Sequence, residues 1–387
     1  MPNIRPPAFL DDPALLPVLA ALPTARIVGG AVRDTLANRP VADVDLAVPE
    51  PPETTIRLLE AAGLKYAPTG LQHGTVTAIS GSHGFEVTSL RTDERTDGRH
   101  AEVAWTTDWQ QDAARRDFTI NAMSMERDGR VHDHFGGIED LHAGRVRFVG
   151  DAATRIAEDT LRLLRFFRFQ ARYGITPPDA ATERAIRGGV TGLSSLSAER
   201  VWHELKRLLA IPDPRAALRL MAEWGVLAAI LHRPVHLAAL DRLIATSAPA
   251  DPLLRFAALD PAADSLAKPL KLSKHEATTL VDLAGLPPDP AWSDDDVRRA
   301  LADTPPTTLI GRVWLAGGDD PAWAALRTRL ATTPRPVFPL AGRDAVALGI
   351  PQGPQVGALV DAVRAWWLGQ GCRPDAAACR AELARRL

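Results

Sequence analysis

Cysteine is scarce in this 387-residue chain. Only Cys372 and Cys379 occur, close together near the C-terminus, which excludes a disulfide framework and a cysteine-built zinc site and fits a reducing cytosol. Lysine is scarcer than arginine by 5 to 40. A GC-rich genome explains such a bias, but the consequence is physical either way: the cations are planar, forked donors that match phosphates and base edges. No run of 18 apolar residues exists, so no membrane span is expected. The opening Met1-Pro2-Asn3-Ile4-Arg5-Pro6-Pro7 has no apolar core of a signal peptide, and a cytoplasmic location is expected. A formal charge of −2 excludes a basic surface over the whole chain, so any nucleic acid must meet a local patch. No fixed-period repeat appears, which excludes a solenoid. Nothing marks an obligate protein partner.

What is present is ordinary in bulk, at 46% hydrophobic and 24% charged residues, and the length allows two to four domains. The information is local. Val28-Gly29-Gly30-Ala31-Val32-Arg33-Asp34 places a glycine pair between a short strand, Arg26 to Val28, and a helix. Nine residues past Asp34, Asp43-Val44-Asp45 begins an apolar run, read as a strand over Val41 to Val48. Alternation on a strand puts both carboxylates on one face, a hard-oxygen pair suited to Mg²⁺ with positions left for substrate phosphates. Backbone N–H groups beside Gly29 and Gly30 can cradle phosphates, and Arg33 can pair with them bidentately. The bland alternative for either piece alone is a glycine turn and a surface Asp-x-Asp.

Around this core the chain reads in order. A leading helix lies within residues 1–25, with Pro17 placed to kink it, and a second helix runs from Thr54 to Ala62 and stops at Gly63. Two strands, at 74–79 and 85–90, form a hairpin, and Glu86 sits in the second of them as either a solvent-facing carboxylate or a third acid near the metal. Arg91 to Trp105 is polar and unperiodic and reads as a mobile loop. Arg115-Arg116-Asp117-Phe118-Thr119-Ile120-Asn121-Ala122 leads a charged triplet into an apolar run, which alone could be a solvated helix start. From Thr154 to Phe169 a single helix is expected. Asp159, Arg162, Arg165, Arg168 and Arg172 recur every three or four residues on one side, opposite Leu163, Leu164, Phe167 and Ala171. Phe166 and Phe169 fall among the arginines, so that side is partly buried and its guanidiniums need anions: a triphosphate, or an internal ladder of ion pairs. Beyond 212, helical segments alternate with proline joints at 212–214, 248–252, 287–290 and 305–306, with helices over Leu270 to Leu286 and Gln355 to Leu368.

Taken together, the glycine pair with Asp43-x-Asp45, the RRDF-T-x-N-A stretch at 115–122, the D-x-F-G-G turn at 133–137, the E-D-x-x-R-x-x-R-x-x-R-F helix at 158–169 and the S-x-E-R-x-x-x-E-L stretch at 197–205 resemble the class II tRNA nucleotidyltransferase and bacterial poly(A) polymerase family. The resemblance covers about the first 210 residues well. It implies an α+β protein: a nucleotidyltransferase head with a small mixed β-sheet over 1–147, a helical neck over 148–211 for base recognition, and an all-helical body and tail over 212–387 for tRNA.

It implies addition of C, C and A from CTP and ATP to a tRNA 3′ end, releasing pyrophosphate, with Mg²⁺ on Asp43 and Asp45 and Glu86 as a candidate third catalytic acid. Gly29, Gly30, Arg33, Arg116, Asp117 and Asn121 would bind the nucleotide, Asp117 through a ribose hydroxyl. Asp159 and Arg162 would act as a protein template, with Arg165 and Arg168 reaching phosphates or completing it. Ser197 would cap a helix that braces the template helix. In the family a loop at the place of 91–105 is needed for the final A, so its presence implies full CCA addition. No His-Asp doublet flanked by ligand histidines follows, so no appended phosphohydrolase is expected. A poly(A) polymerase, a partial CC- or A-adding enzyme, and a non-catalytic RNA-binding protein on a decayed transferase fold are the alternatives. Intact Asp43, Asp45, Asp117 and Asp159 argue against decay.

Overall fold

The computed structural model describes residues 4–96, 101–233, 235 and 237–387, and for 93–96 and 101–103 the backbone alone. The chain divides into two units, Met1–Pro234 and Val235–Leu387.

The first unit is built on a mixed sheet. A 3₁₀ turn over Ala8–Asp11 and the helix α1 (Leu15–Ala21) lead into β1 (Arg26–Val28), α2 (Gly30–Leu36), β2 (Asp45–Val48) and α3 (Pro52–Ala61). Pro17 lies in the first turn of α1, where its missing N–H has no helical partner to lose. There follow β3 (Lys65–Gly70), β4 (Thr75–Ser80), β5 (His83–Ser89), β6 (Arg91–Thr96), β7 (Ala101–Trp105), α4 (Trp109–Ala114), β8 (Ser124–Met125), β9 (Val131–His132) and α5 (Gly137–His142). Seven strands pair in the order β3-β4-β5-β2-β1-β8-β9. Only β2 and β5 run parallel, in the register Leu46↔Val87 and Val48↔Ser89; the other neighbours are antiparallel.

One face of the sheet buries Ile27, Leu46, Val48, Val76, Ala78, Val87 and Met125 against Leu15, Val18, Val32 and Leu59 of the helices. The other face buries Val28, Ala47 and Leu90 beside Trp109. Strand β2 is therefore apolar on both faces from Leu46 to Val48, and its polar first residue, Asp45, is left at the sheet's end.

The helical part of this unit comprises α6 (Ala152–Glu158), α7 (Leu161–Tyr173), α8 (Ala180–Gly189), α9 (Ala198–Leu209), α10 (Arg215–Glu223) and α11 (Val226–Leu231). An aromatic cluster fastens α7 to the sheet-bearing part. Phe118 lies 4.9 Å from Phe148 and 5.1 Å from Phe169, and Phe148 stacks on Phe166 at 5.8 Å between ring centres. Phe166 and Phe169 are buried, as their place among the arginines requires. The second unit holds nine α-helices among the described residues, from Ala238–Ile244 to Ala376–Arg385. Prolines open several of them, at Pro252, Pro306, Pro321 and Pro354, where a fixed φ and an absent N–H fit the first turn.

Three sequence expectations need correction, and one alternative, a helix start at 115–117, falls. The strand carrying the paired acids starts at Asp45, not Val41, so Asp43 precedes it. The polar segment from Arg91 to Trp105 is not a plain loop: β6 and β7 pair antiparallel with each other in a separate two-stranded sheet. Such a pair needs no apolar alternation, and residues 97–100, where that loop was also expected, lie outside the described residues. The charged triplet at 115–117 follows the end of α4 rather than starting a helix. The single helix expected over 154–169 is two. Asp159, at φ −150° and ψ 105°, breaks it between α6 and α7.

Candidate active site

The glycine turn is set by Gly29. Its φ of +64° with ψ −120° is open only to glycine at low strain, and α2 starts at the next residue. A Cβ on Gly29 would meet Arg116 Nη1 at 3.4 Å, and one on Gly30 would meet Arg33 Nη2 at 3.5 Å, so both arginines lie against the turn.

The acids gather at one end of β2. Asp45 stands one step before the Leu46↔Val87 pairing of β2 with β5, and Glu86 one step before it on β5, so the two side chains leave the same face. Asp43 and Glu86 are exposed, as is Asp45. Surrounding protein displaces enough water to raise the Asp45 carboxyl above the usual range. Glu86 and then Asp43 add to the rise, and Arg116 opposes it. Neighbouring carboxylates that disfavour the Asp45 charge are what a bound cation would offset. Among the described residues no group of three or more His, Cys, Asp or Glu side chains encloses a metal position. The donors are hard oxygens on one side only, which fits an ion that completes its shell with substrate phosphates and water.

The arginines are held by other acids. Asp112 of α4, 4% exposed, accepts from Arg115 Nη2 at 2.8 Å and from Arg116 Nη2 at 3.1 Å. Burial would raise its carboxyl, but the two guanidiniums hold it below the usual range. Arg33 is buried and donates Nη1 to Asn121 Oδ1 at 2.6 Å, and Nε and Nη2 to the two oxygens of Asp34 at 3.1 Å each. Asn121 in turn donates to Asp117 Oδ1 at 3.0 Å. Asp117 also accepts from Phe118 N–H and, through Oδ2, from Arg165 Nε at 2.7 Å. Burial pushes the Asp117 carboxyl up; Arg165, Asn121 and the Phe118 N–H outweigh it and keep it low. Burial likewise disfavours the Arg165 charge, and Asp117 more than restores it. Asp117 thus has both oxygens engaged within the protein, where the resemblance implied a ribose hydroxyl.

The expected template residues meet different partners. Asp159 accepts from Leu161 N–H at 3.1 Å and from Arg200 Nη2 of α9 at 2.8 Å. Arg162 donates Nη1 to Glu158 Oε2 at 2.5 Å and Nη2 to the Arg115 carbonyl at 3.0 Å. Arg168 is buried against Glu204 of α9 at 2.6 Å; burial lowers its pKa, and Glu204 opposes the fall. Ser197 stands at the N-cap of α9 without a side-chain bond into the helix.

A continuous run of contacts therefore joins Gly29, Arg33, Asn121, Asp117 and Arg165, and a second joins Arg116, Asp112, Arg115 and Arg162. The first runs from the glycine turn to α7, and the second runs to α7 from Arg116, whose charge acts on Asp45. Sequence reasoning missed Asp112, Asp34, Tyr173 and Arg200 as members of this site. Asp112 carried a signal in its i, i+3, i+4 spacing to Arg115 and Arg116, and Asp34 and Arg200 lay inside the quoted motif stretches, while Tyr173 carried none.

A mixed sheet with a glycine turn, paired acids at the start of its central strand and an attached helical neck defines a nucleotidyltransferase. Residues 25–147 match the Poly A polymerase head domain, and residues 178–240 match the probable RNA and SrmB-binding site of polymerase A. The chain is 36% identical over 366 residues to the human mitochondrial CCA tRNA nucleotidyltransferase 1, covering 89% of this chain and 83% of that protein. It is 32% identical to the CCA-adding enzyme of Geobacillus stearothermophilus over 88% of this chain and 87% of the relative. The zebrafish mitochondrial enzyme is 48% identical, but over 52% of this chain and 47% of its own length. The crystal structure of the Bacillus stearothermophilus CCA-adding enzyme in complex with CTP superposes with a TM-score of 0.76 at 28% identity, covering 97% of this chain and 98% of the other.

The chain belongs to the class II CCA-adding tRNA nucleotidyltransferase family. The zebrafish, human and mouse relatives are named as mitochondrial enzymes, which overturns the cytoplasmic location expected from the sequence. That expectation rested on scarce cysteine and on an opening without the apolar core of a signal peptide; free thiols at Cys372 and Cys379 separate reducing from oxidising surroundings and nothing finer, and a signal-peptide core bears on secretion rather than on organelles. Among the described residues no helix is long and apolar enough to cross a membrane.

Proposed function

We infer that the protein completes tRNA 3′ ends with C, C and A, drawing on CTP and ATP and releasing pyrophosphate, and that its residues divide the work as follows. The likeness to CCA-adding relatives along most of the chain supports this over a poly(A) polymerase. The observation that carries the residue assignment is the unbroken contact path from the glycine turn through Asn121 and Asp117 to Arg165. It ties the glycine turn, the proposed phosphate end, to the helix that carries Arg162, a proposed base reader.

Asp43 and Asp45 would hold Mg²⁺, with Glu86 as the neighbouring acid. When bound, the ion favours the ionised 3′-hydroxyl and offsets charge on the leaving oxygens. Gly29 and Gly30 bring backbone close to the triphosphate, and Arg116, anchored by Asp112, faces the same acids. Arg33 and Asn121 fix the frame. Asp117 aims Arg165. Asp159 accepts from the exocyclic amine of cytosine or adenine, and Arg162 donates to the ring acceptor beside it. Uracil and guanine reverse both polarities, and a site built on such bonds rejects the wrong base by ~10⁴ or more. Arg168, paired with Glu204, supports the helix that carries these readers. Catalysis is then positioning plus charge neutralisation, as in phosphoryl transfer generally.

Incubation with tRNA lacking CCA and each nucleotide, with products sized on a gel, tests the activity. Three added residues and a stop are expected. A long A tail would indicate a poly(A) polymerase, a stop after two a CC-adding enzyme, and no metal-dependent turnover a binding protein. Asp43→Ala and Asp45→Ala are expected to abolish incorporation with the fold retained; a fully active double variant refutes the metal assignment.

A further inference from the structure

The end of α7 holds a contact the reaction scheme does not use. Tyr173, 7% exposed and 139 positions from Asp34 along the chain, donates its hydroxyl to Asp34 Oδ1. Asp34 grips the Arg33 guanidinium along its Nε–Nη2 edge, and the Arg33 Cζ lies 4.5 Å from the Tyr173 ring centre and 5.2 Å from that of Phe169. Arg39 stacks on Tyr173 at 4.8 Å, and Arg172 reaches Asp34 at 3.9 Å. The C-terminal turn of α7 is thus bonded to the helix that begins at the glycine turn.

We propose that Tyr173 is a positioning residue for nucleotide selection: through Asp34 and Arg33 it sets the span between the glycine turn and the base-reading end of α7. The proposal rests on the assignment of Asp159 and Arg162 as base readers. Arg33 has Nε, Nη1 and Nη2 each committed to a protein acceptor and is buried, so it is a strut between α2, Asn121 and α7 before it is a phosphate ligand. A strut matters because a nucleotide has one length. If α7 slides or rolls on α2, a triphosphate seated at the turn no longer delivers its base edge to Asp159 and Arg162. Displacement of reacting groups by ~1 Å costs about a hundredfold in rate. Tyr173 carries both features that resist the slide: a hydroxyl that bonds a charged acceptor, and a ring under the guanidinium.

The test uses the full chain with tRNA lacking CCA, CTP, UTP and Mg²⁺. Tyr173→Phe keeps the ring and removes the hydroxyl. The expected result is a loss of about tenfold in the CTP-over-UTP selectivity of kcat/KM. Tyr173→Leu removes ring and hydroxyl together and is expected to lose more, and Asp34→Asn, which still accepts from Tyr173 but grips Arg33 less, is expected to fall between wild type and Tyr173→Leu. Thermal melting of each variant accompanies the kinetics. A Tyr173→Phe enzyme that melts lower and keeps full selectivity overturns the proposal, since that is what a packing role alone produces. Asp159→Ala is run beside it. If Asp159→Ala relaxes selectivity and Tyr173→Phe does not, the strut is refuted and the base reader stands. If Asp159→Ala still rejects UTP, the base-reader assignment itself fails.

Discussion

Adjacent glycines offer a sharp test of the turn, because the same methyl group should act with opposite sign at each. Gly29 has φ +64° and ψ −120° and a Cβ there would sit 3.4 Å from Arg116 Nη1, an ordinary contact. The penalty of Gly29→Ala is then mostly backbone strain, about 1–3 kcal/mol. It is offset by up to ~1 kcal/mol from the reduced freedom of the unfolded chain. A net loss of roughly 1–2 kcal/mol remains. Gly30 is the first helical residue of α2, and its Cβ would lie 3.5 Å from Arg33 Nη2. Gly30→Ala therefore adds no strain and is expected to gain about 0.5–1 kcal/mol.

For a unit of this size each kcal/mol moves the melting midpoint by roughly 2–4 °C. Calorimetry of the full chain should show Gly29→Ala lowered by about 2–8 °C and Gly30→Ala raised by a few degrees (~1–4 °C). Hydrogen exchange of the 26–37 amides should follow the same order, assigning the shift to the unit that contains them. Equal and same-signed shifts for the two variants would refute the claim that the turn is held at Gly29.

Three further outcomes follow from the electrostatics. Asp45 has a raised pKa, so its ionised form is disfavoured in the fold, and the stability it withholds is withheld above that pKa. Asp45→Asn should melt higher than wild type in EDTA at neutral pH while losing activity and the upward shift that Mg²⁺ gives wild type; a lower midpoint in EDTA would contradict it. Asp112 has a lowered pKa, so its stabilisation is present above the unfolded value of 3.8 and is lost as pH falls through the folded one. Asp112→Asn should flatten the acid limb of the stability curve below about pH 4, and an unchanged limb would refute the assignment. Asp112→Ala should destabilise the first unit by roughly 3 kcal/mol in denaturant titration, the low end for a broken buried pair because Arg115 and Arg116 keep a fifth of their surface in water.

Several elements stand close to where the residues placed them: β1, α2, α3, the β4–β5 hairpin and, in the second unit, the helices Lys274–Leu283 and Pro354–Gly369. The misses have separate causes. Strand β3 is half exposed at the sheet edge, contains Pro68 and shifts register between Ala67 and Gly70, so it has neither alternation nor a clean apolar run. Strands β6 and β7 pair only locally, and their polar composition looks like a loop. The break at Asp159 carries no glycine or proline. It is a tertiary decision, in which the Asp159 carboxylate takes up the Leu161 N–H and Arg200 comes over from α9. Motif residues were legible as a set, but their partners were not. Asp34, Asp112 and Glu204 reach the arginines across the fold or along α4, and a sequence read by helical face alone ranks such acids as solvated charge.

An internal ladder, one of the two partners open to the α7 arginines, is present in the fold. Its acids come from other elements: Glu158 on α6 for Arg162, Asp117 for Arg165, Glu204 on α9 for Arg168 and Asp34 on α2 for Arg172. A chain with net charge near zero can thus carry a row of guanidiniums on a packed helix, Arg168 buried, Arg162 and Arg165 part-buried and Arg172 exposed, because each arrives with its own carboxylate. It also changes what base selection requires. Under the proposed reading, a nucleotide does not neutralise a waiting cation; it displaces Glu158 from Arg162 and Arg200 from Asp159. The desolvation of these groups has already been met in folding, so a matching base exchanges one set of charge-assisted bonds for another at little net cost. A mismatched base breaks the resident pairs and leaves a part-buried carboxylate and guanidinium without partners, which is the larger penalty. Discrimination then resides in what the wrong base fails to replace.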